Sequence, residues 1–288
     1  MNESRGPHGA SRGTSPAPLP SSATVPAASS FAVIIPAFDE AANMSDLFAE
    51  LSETFRSHEL DGEVVLVDDG SSDGTLAAAR EAAAREGFDR LRLLRHRTNR
   101  GKTSALVTGA RATDAEVLVL YDADLQHSTE EIPRFLEGIE GGLDVVTGRK
   151  VGQYDKRFVS SVYNGLARRL FDVPVRDMNS MKAFRREVLE DLHLREDWHR
   201  YLVVLANARG WKIGEIDIEL LPRRHGDPKY GGSGRILVGM LDLLAVWFQL
   251  VFSRKPLMFF GVTGLALLAA GGVVGLIALW LRFVEGSG

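Results

Sequence analysis

The sequence predicts an α/β fold, a mostly parallel, doubly wound sheet with helices on both faces. Two observations support this prediction. Apolar runs such as EVVLVD (63–68) show no alternation of apolar and polar residues, which is typical of parallel strands covered on both sides. Segments with helical spacing, such as TLAAAREAAAREG (75–87), separate these runs. The repeated order of strand and helix indicates βα units.

Five apolar runs are predicted to be strands, and three segments between them are predicted to be helices. The strands are FAVIIP (31–36), EVVLVD (63–68), LRLLR (91–95), the start of EVLVLYDAD (116–124) and DVVTG (144–148). The helices are 41–55, 75–87 and 104–113. Because ligands of such sheets bind beyond the carboxyl ends of the strands, polar residues that follow the strands are the candidates for function.

Composition divides the chain into five segments. Residues 1–30 contain five of the eleven prolines and almost no large apolar residues, so we expect a disordered tail. The other segments are a globular domain (31–234), an amphipathic juxtamembrane helix (235–256), a transmembrane helix (257–281) and a short tail (282–288).

The predicted transmembrane helix rests on a run of 25 residues without a charged side chain, Leu257 to Leu281. About 20 apolar residues are enough to span a bilayer, and core helices of this length without a polar face are rare. Arg254 and Lys255 precede the run, whereas Arg282 on the far side is close to Glu285. The positive-inside rule therefore predicts that the globular domain lies on the cytoplasmic face.

Composition and motif tests exclude several classes of function. The chain has no cysteine, which excludes disulfides, thiolate zinc sites and thiol catalysis. A net charge of -4 gives no indication of a nucleic-acid partner. No G-x-G-x-x-G follows the first strand, and Gly101-Lys102-Thr103 lacks the first glycine of a P-loop, since His96 stands there. Dinucleotide binding and P-loop kinase or ATPase chemistry are therefore not expected.

Asp122 and Asp124, which we call the carboxylate pair, follow the fourth predicted strand. In extended backbone, residues two apart project to the same side, so the two carboxylates can converge. Two hard anionic oxygens suit Mg²⁺ or Mn²⁺, whose remaining sites a diphosphate can fill. Gln126 adds a neutral oxygen if the extended backbone continues. The alternative is a polar loop after a strand, which Asp-x-Asp alone does not exclude.

Two more acidic clusters follow the first two strands. Asp68 and Asp69 end the second strand, and the Gly- and Ser-rich turn after them offers backbone N–H groups. A turn with a helix cap explains the glycines, but it does not explain two adjacent carboxylates at the ligand edge. Pro36 is expected to stop the first strand. Asp39 and Glu40 come next, at a helix N-terminus, where acidic residues are favoured without any ligand.

Four strings of this sequence resemble the family 2 glycosyltransferases of the GT-A fold. They are IIPAFDEAANM, VVLVDDGSSDGT, NRGKTSALVTGA and VLVLYDADLQHSTEEIP, and their order and spacing carry the resemblance. The Asp-Ala-Asp-Leu-Gln-His form is most similar to the dolichol-phosphate mannosyltransferases and other polyprenyl-phosphate glycosyltransferases. The resemblance covers about residues 31–235.

The resemblance implies roles on the donor side. The residues that it assigns to the nucleoside are Pro36, Ala37, Glu40 and Asp69. The residues that it assigns to the divalent metal are Asp122, Asp124 and Gln126, with Asp122 also on the donor and Asp124 among the catalytic residues. One departure is that Phe38-Asp39-Glu40 stands where the family has Tyr-Asn-Glu, which leaves the role of Asp39 open.

A lipid-phosphate acceptor has an oxygen that is already anionic, so the site needs cations rather than a general base. The planar fork of arginine suits phosphate oxygens. Arg149 and Lys150 are expected directly after the fifth strand, and Arg157 and Ser161 follow. These segments resemble the acceptor loop of the family. The resemblance therefore implies that Arg149, Arg157 and Ser161 hold the lipid phosphate.

The segment LLPRRHGDPKYG (220–231) resembles the family's Arg-x-x-Gly-x-Ser-Lys loop. The resemblance implies that Arg223 and Lys229 face the donor diphosphate, although Pro228 replaces the serine. Basic residues next to a membrane segment have an alternative role as contacts to anionic lipid headgroups.

The expected function is that of a metal-dependent, inverting glycosyltransferase. The donor would be a GDP- or UDP-linked hexose, and the acceptor a dolichyl or undecaprenyl phosphate in the membrane. One alternative is a family 2 enzyme that glycosylates a hydroxyl group of a glycan or lipid, with Asp197 as the general base. The other is a non-catalytic, membrane-tethered nucleotide-binding module, which would be expected to lack a metal carboxylate or an acceptor arginine.

Overall fold

The structure is a computed structural model that describes residues 30–151, 165, 171, 173–178, 180–192, 194–195, 198–225, 241, 243–248, 250, 256–284 and 286. The chain divides into two units, residues 1–230 and 231–288. The strands are β1 (Phe31–Ala37), β2 (Glu63–Asp68), β3 (Leu91–Arg95), β4 (Val117–Leu120), β5 (Val145–Val151), β6 (Lys182–Arg185) and β7 (Ile213–Glu219). The α-helices are α1 (Met44–Ser57), α2 (Thr75–Arg85), α3 (Lys102–Arg111), α4 (Glu131–Glu140), α5 (Arg186–Leu192), α6 (Leu202–Arg209) and α7 (Pro256–Phe283). Short 3₁₀ helices span Ala41–Asn43 and Trp198–Tyr201.

The seven strands form one sheet in the order β3-β2-β1-β4-β6-β5-β7. The pairs β1–β2, β1–β4, β2–β3 and β5–β7 are parallel, whereas β6 runs antiparallel to both of its neighbours. The predicted mostly parallel α/β sheet is therefore confirmed. Since the carboxyl ends of β1, β2 and β4 meet at one edge, the loops after these strands lie together.

Helices cover both faces of the first half of the sheet. One face packs with α1, α2 and α4 in a core that includes Val33 and Ile35 of β1. The opposite face carries α3, where a Cβ at Gly109 would lie 2.5 Å from Cγ2 of Ile34. Glycine at this position therefore allows α3 to approach β1 closely. Burial on both faces explains why these strands are continuous apolar runs.

Some predicted boundaries are wrong. β1 continues through Pro36 to Ala37, paired with β2, so Pro36 does not end the strand. β5 does not end at Gly148 but continues to Val151, because β7 pairs with its last residues. Arg149 and Lys150 therefore lie within a strand rather than in the loop after it.

The C-terminal helix α7 contains a stretch, Phe260–Phe283, that is long and apolar enough to cross a membrane, with a mean hydropathy of 2.3. Its side chains are not buried within the part of the protein that the structure describes. A core helix of a soluble protein would be buried, so α7 is a candidate membrane span. The proposed segment boundaries at residues 234, 256 and 281 stay predictions.

Candidate active site

The loops after β1 and β2 are tied together by hydrogen bonds at the carboxyl edge of the sheet. The backbone N–H of Ser72 donates to Oδ1 of Asp39 (2.8 Å), and the N–H of Asp39 donates to Oγ of Ser71 (2.9 Å). The N–H of Glu40 donates to Oγ1 of Thr75 (2.9 Å), which donates to Oδ1 of Asp73 (2.5 Å). Asp39 therefore has a structural role in joining the two loops, and it holds them beside Glu40.

Asp69 is buried and accepts three hydrogen bonds. Its Oδ1 contacts Nδ1 of His96 (2.6 Å) and accepts from the backbone N–H of Arg100 (2.9 Å), and its Oδ2 accepts from the N–H of Gly101 (2.8 Å). These bonds fix the backbone immediately before α3. Gly70, next in the chain, has φ +80°, and a Cβ there would lie 2.6 Å from the carbonyl carbon of Thr98. Glycine is therefore required for the 98–101 loop to pack against this turn.

The carboxylate pair lies at this edge, and each carboxylate has its own cation. Nζ of Lys102, the first residue of α3, forms an ion pair with Oδ1 of Asp122. Nη2 of Arg223 donates to Oδ2 of Asp124 (2.7 Å), and its Nη1 lies 3.9 Å from Oε1 of Glu40. The structure therefore brings together Glu40, Asp122, Asp124 and Arg223 from three of the predicted segments.

The two carboxyl groups of the pair have opposite pKa shifts. Burial disfavours ionisation of Asp122, but the ammonium of Lys102 outweighs it and holds the pKa of Asp122 well below its usual range. Burial and the negative charge of Asp122 raise the pKa of Asp124 to about 6, against the opposing charge of Arg223. The negative charge of Asp122 thus disfavours ionisation of Asp124.

The chain after Asp124 turns instead of continuing as a strand. Leu125 has φ +54°, and the N–H of Gln126 donates back to Oδ1 of Asp124 (3.3 Å). The carbonyl of Gln126 accepts from the N–H of Leu221 (2.9 Å), which brings the segment before Arg223 to this loop. The expectation that extended backbone would align Gln126 with the carboxylate pair is therefore wrong. A metal contact from Gln126 stays a prediction.

The carboxylate pair fits a divalent metal in its chemistry, because it offers two hard anionic oxygen donors. Within the described residues, no group of three or more His, Cys, Asp or Glu side chains converges as a metal site. A metal at the pair would therefore need further oxygen ligands, and a diphosphate offers them.

On β5, the neighbouring cations have different partners. Arg149 forms a two-bond ion pair with Asp217, its register partner on β7. Lys150 projects to the opposite face of the sheet, where its Nζ lies 3.9 Å from Oδ2 of the buried Asp177. The guanidinium of Arg149 is therefore held across the β5–β7 pair. The predicted acceptor residues Arg157 and Ser161, the donor residue Lys229 and the alternative base Asp197 lie outside the described residues.

Sequence reasoning missed several residues that surround the pair. In the sequence, Lys102 stands in an incomplete match to a P-loop, which gives no indication of its position beside Asp122. His199 accepts or donates a hydrogen bond at Nδ1 to Oγ1 of Thr103 (2.9 Å), and burial lowers its pKa well below the usual range. Lys182 on β6 is fully buried, its Nζ donates to the carbonyl of Ser180 (2.7 Å), and burial lowers its pKa to about 7. The string MKAFR could have pointed to Lys182, because a lysine between apolar residues is placed to be buried. Buried lysines are rare, so such a position is a candidate for function.

Residues 32–193, more than half of the chain, match the family model of glycosyl transferase family 2. The chain belongs to glycosyl transferase family 2. This family 2 chain is 32% identical over 259 residues to dodecaprenyl-phosphate galacturonate synthase of Rhizobium johnstonii, covering 87% of this chain and 75% of the relative. It is 27% identical over 261 residues to undecaprenyl-phosphate 4-deoxy-4-formamido-L-arabinose transferase of Aeromonas hydrophila, covering 88% and 77%. The family predicted from the four strings is confirmed, and the protein is a glycosyltransferase.

Solved structures confirm the fold of this family 2 enzyme. Glucosyl-3-phosphoglycerate synthase from Mycobacterium tuberculosis, in complex with Mg²⁺ and UDP, superposes with a TM-score of 0.58 at 19% identity. The superposition covers 74% of this chain and 79% of that one. At this identity the likeness shows the GT-A fold alone.

Proposed function

We propose that this family 2 enzyme transfers a hexose from a nucleotide sugar to the phosphate of a membrane polyprenyl lipid, with a divalent metal at the carboxylate pair. The observation that carries the proposal is the position of Asp122 and Asp124 at the carboxyl edge of the sheet, each beside a cation that phosphate can also bind. Two relatives whose names contain a polyprenyl phosphate support the acceptor.

The donor would bind along the loops that follow β1 and β2. Pro36 and Ala37 end β1, and Glu40 follows in the loop that is bonded to Thr75. Asp69 would contribute in two ways, by facing the nucleoside and by fixing the 100–101 backbone through its carboxylate. Arg223 and Lys229 would face the diphosphate.

Asp122 and Asp124 would hold Mg²⁺ or Mn²⁺, with Gln126 as the proposed third protein ligand. The metal, when bound, would neutralise the negative charge that develops on the departing diphosphate. The protein side chains supply the position of that diphosphate relative to the acceptor.

The transfer itself exchanges one bond for another at the anomeric carbon. An oxygen of the lipid phosphate attacks this carbon, and the bond from the carbon to the donor diphosphate breaks. The nucleoside diphosphate leaves with the electron pair of that bond, and attack from the opposite side inverts the configuration. Because the attacking oxygen is anionic near neutral pH, the reaction needs no residue to remove a proton.

The acceptor phosphate would be held by Arg149, Arg157 and Ser161. For Arg149, binding phosphate means leaving Asp217 on β7, since its guanidinium is engaged there in two hydrogen bonds. This exchange is chemically reasonable because carboxylate and phosphate oxygens suit the same planar fork. In the proposed role of Arg149, the carboxylate of Asp217 therefore competes with the acceptor phosphate for its guanidinium.

The candidate span Phe260–Phe283 supports a membrane-bound acceptor, because a polyprenyl phosphate is confined to the bilayer. We place the catalytic unit on the cytoplasmic face. Arg254 and Lys255, which precede the span, support this orientation under the positive-inside rule.

The test is transfer of label from a nucleotide sugar to a lipid. Full-length protein in detergent micelles is incubated with Mn²⁺, undecaprenyl phosphate and a panel of radiolabelled UDP- and GDP-sugars. We expect chloroform-soluble label with at least one donor, and none after addition of a chelator. Absence of lipid-linked label with every donor would contradict the phosphate acceptor.

The hydroxyl-acceptor alternative is tested by two variants in the same assay. If Asp197 removed a hydroxyl proton, Asp197→Asn would lose turnover while Arg157→Ala kept it. The proposal requires the reverse, in which Arg157→Ala raises the KM for undecaprenyl phosphate and Asp197→Asn keeps its turnover.

A further inference from the structure

The two carboxylates of the pair are neutralised by cations from different parts of the chain. Lys102 comes from the first turn of α3, and Arg223 comes from the segment after β7. Lys102 forms its ion pair with an oxygen of Asp122, and Asp122 would have to offer its carboxylate oxygens to a metal. A cation on a metal-ligating carboxylate repels a metal ion at short range.

The position of Lys102 is set by the backbone that precedes α3, and helix stability does not explain why a lysine stands there. A positive charge in the first turn of a helix is disfavoured by the helix dipole, so helix formation does not explain a lysine here. The backbone just before it is held by the bonds from Asp69 to the N–H groups of Arg100 and Gly101. Gly101 has φ +83°, which sets the direction in which α3 begins.

We propose that Lys102 is a donor-binding residue that the unliganded enzyme holds on Asp122, and that it moves to the donor diphosphate when the metal enters the carboxylate pair. This inference rests on the proposed function. Without a diphosphate, a metal at the pair has to displace Lys102 from Asp122, which breaks the ion pair between them. With a diphosphate, the phosphate oxygens take over the ammonium, and Asp122 is released for the metal. Metal and nucleotide therefore bind cooperatively, and Lys102 is the residue that couples them.

The coupling is measured by Mn²⁺ binding rather than by turnover. Free Mn²⁺ is followed by its electron paramagnetic resonance signal during titration of full-length protein in micelles, without nucleotide and with saturating UDP or, separately, GDP. For the unsubstituted protein we expect one of the two nucleotides to tighten Mn²⁺ binding by about 10-fold or more, within the usual range of coupling between sites.

Lys102→Met removes the charge and keeps most of the length of the side chain. We expect this variant to bind Mn²⁺ without nucleotide about 5-fold more tightly than the unsubstituted protein, and to lose most of the nucleotide effect. Lys102→Arg keeps the cation and is expected to keep the coupling. The matched control is Lys212→Met, because Lys212 is exposed at the start of β7, at the opposite edge of the sheet, and should change neither quantity.

Three results would overturn the inference, and they differ in what else they affect. Lys102→Met and Lys102→Gln, folded as judged by circular dichroism, could bind Mn²⁺ alone no more tightly than the unsubstituted protein. Lys102 would then not hinder metal binding at Asp122, and the proposed function would stand. If the unsubstituted protein binds no Mn²⁺ with either nucleotide, the metal-dependent function fails together with the inference. A variant that does not fold in either form would show that Lys102 is needed for the structure, which also contradicts an exchangeable role.

Discussion

The two halves of the sheet differ in how they are built and in how far their sequence reveals them. In the first half, β1, β2, β3 and β4 are parallel, and β1 and β2 have helices on both faces. In the second half, β5 and β7 are joined to the rest through the antiparallel β6. The first half contains the proposed metal residues and most of the proposed donor residues, whereas the second half contains the acceptor candidate Arg149 and is followed by the donor candidate Arg223. The proposed site for the nucleotide-sugar donor thus lies mainly on regular βα units. The less regular half would determine which acceptor binds.

The largest expected effect is on the first half. Asp122→Asn and Asp124→Asn should each lower lipid glycosylation by about 1,000-fold, because each removes an anionic ligand from the proposed metal site, which stabilises the transition state by several kcal/mol. The measurement is the initial rate of label transfer. Asp61→Asn is the control, since Asp61 is exposed at the opposite edge of the sheet and pairs only with an exposed arginine in the described structure. Equal losses in all three variants would contradict the site.

The second half is tested by the pair Arg149 and Asp217. Arg149→Ala should raise the KM for undecaprenyl phosphate by about 10- to 100-fold, the scale of a lost charge-assisted contact, with the KM for the donor unchanged. Asp217→Asn should lower the KM for the lipid, because it releases Arg149 from its competing partner. If both variants instead lower thermal stability alike and leave both KM values unchanged, the ion pair only ties β5 to β7.

The hydrogen bonds from Asp69 to the 100–101 backbone, in the first half, should respond to a change of charge alone. Asp69→Asn keeps the size of the side chain but replaces one acceptor oxygen with an NH₂ group, which faces a backbone donor. We expect a loss of about 2 kcal/mol in the free energy of unfolding, together with weaker nucleotide binding. Urea unfolding and nucleotide titration of the same preparation measure both. A loss of nucleotide binding without a loss of stability would mean that Asp69 does not hold the 100–101 backbone.

A smaller effect, dependent on pH, is expected in the second half. The pKa of Lys182 is lowered by burial to about 7, from 10.5 in an exposed lysine. Between these values the unfolded chain binds a proton that the folded chain does not, so stability should rise with pH above about 7, by at most about 1.4 kcal/mol per pH unit. Lys182→Met should remove this slope. Thermal unfolding at pH 6.5, 7.5 and 8.5 measures it, and identical slopes in both proteins would contradict the lowered pKa of Lys182.

The sequence predicted the first half of the fold well for a physical reason. Strands buried on both faces must be apolar throughout, and β1 and β2, which are buried in this way, lie within one residue of their predicted ranges. The missed strands lack this signal. β7 is an edge strand with alternating burial, and β6 has only four residues, KAFR, with charge at both ends. An undetected β7 also explains the misplaced end of β5, because the last residues of β5 pair with it.

In the site, too, some features could be predicted from the sequence and others could not. Glu40, Asp122, Asp124 and Arg223 were all selected from the sequence, and the structure brings them together. Periodicity did not predict the turn at Leu125, because a non-glycine residue with positive φ gives no pattern in the sequence. Nor did it predict the partner of Asp122, since Lys102 is distant in sequence and the contact depends on how α3 packs.

The position of β6 between β4 and β5 also constrains the order in which the enzyme can fold as it is synthesised. The first four strands pair with one another and are complete once residue 120 has left the ribosome. β5 then emerges with neither of its partners, since both β6 and β7 come later in the chain. Both of its edges are unpaired for the synthesis of more than 30 further residues, and unpaired strand edges favour association with other chains. Arg149 and Lys150, two adjacent charges near the end of β5, hinder such pairing while both partners of the strand are still to be synthesised.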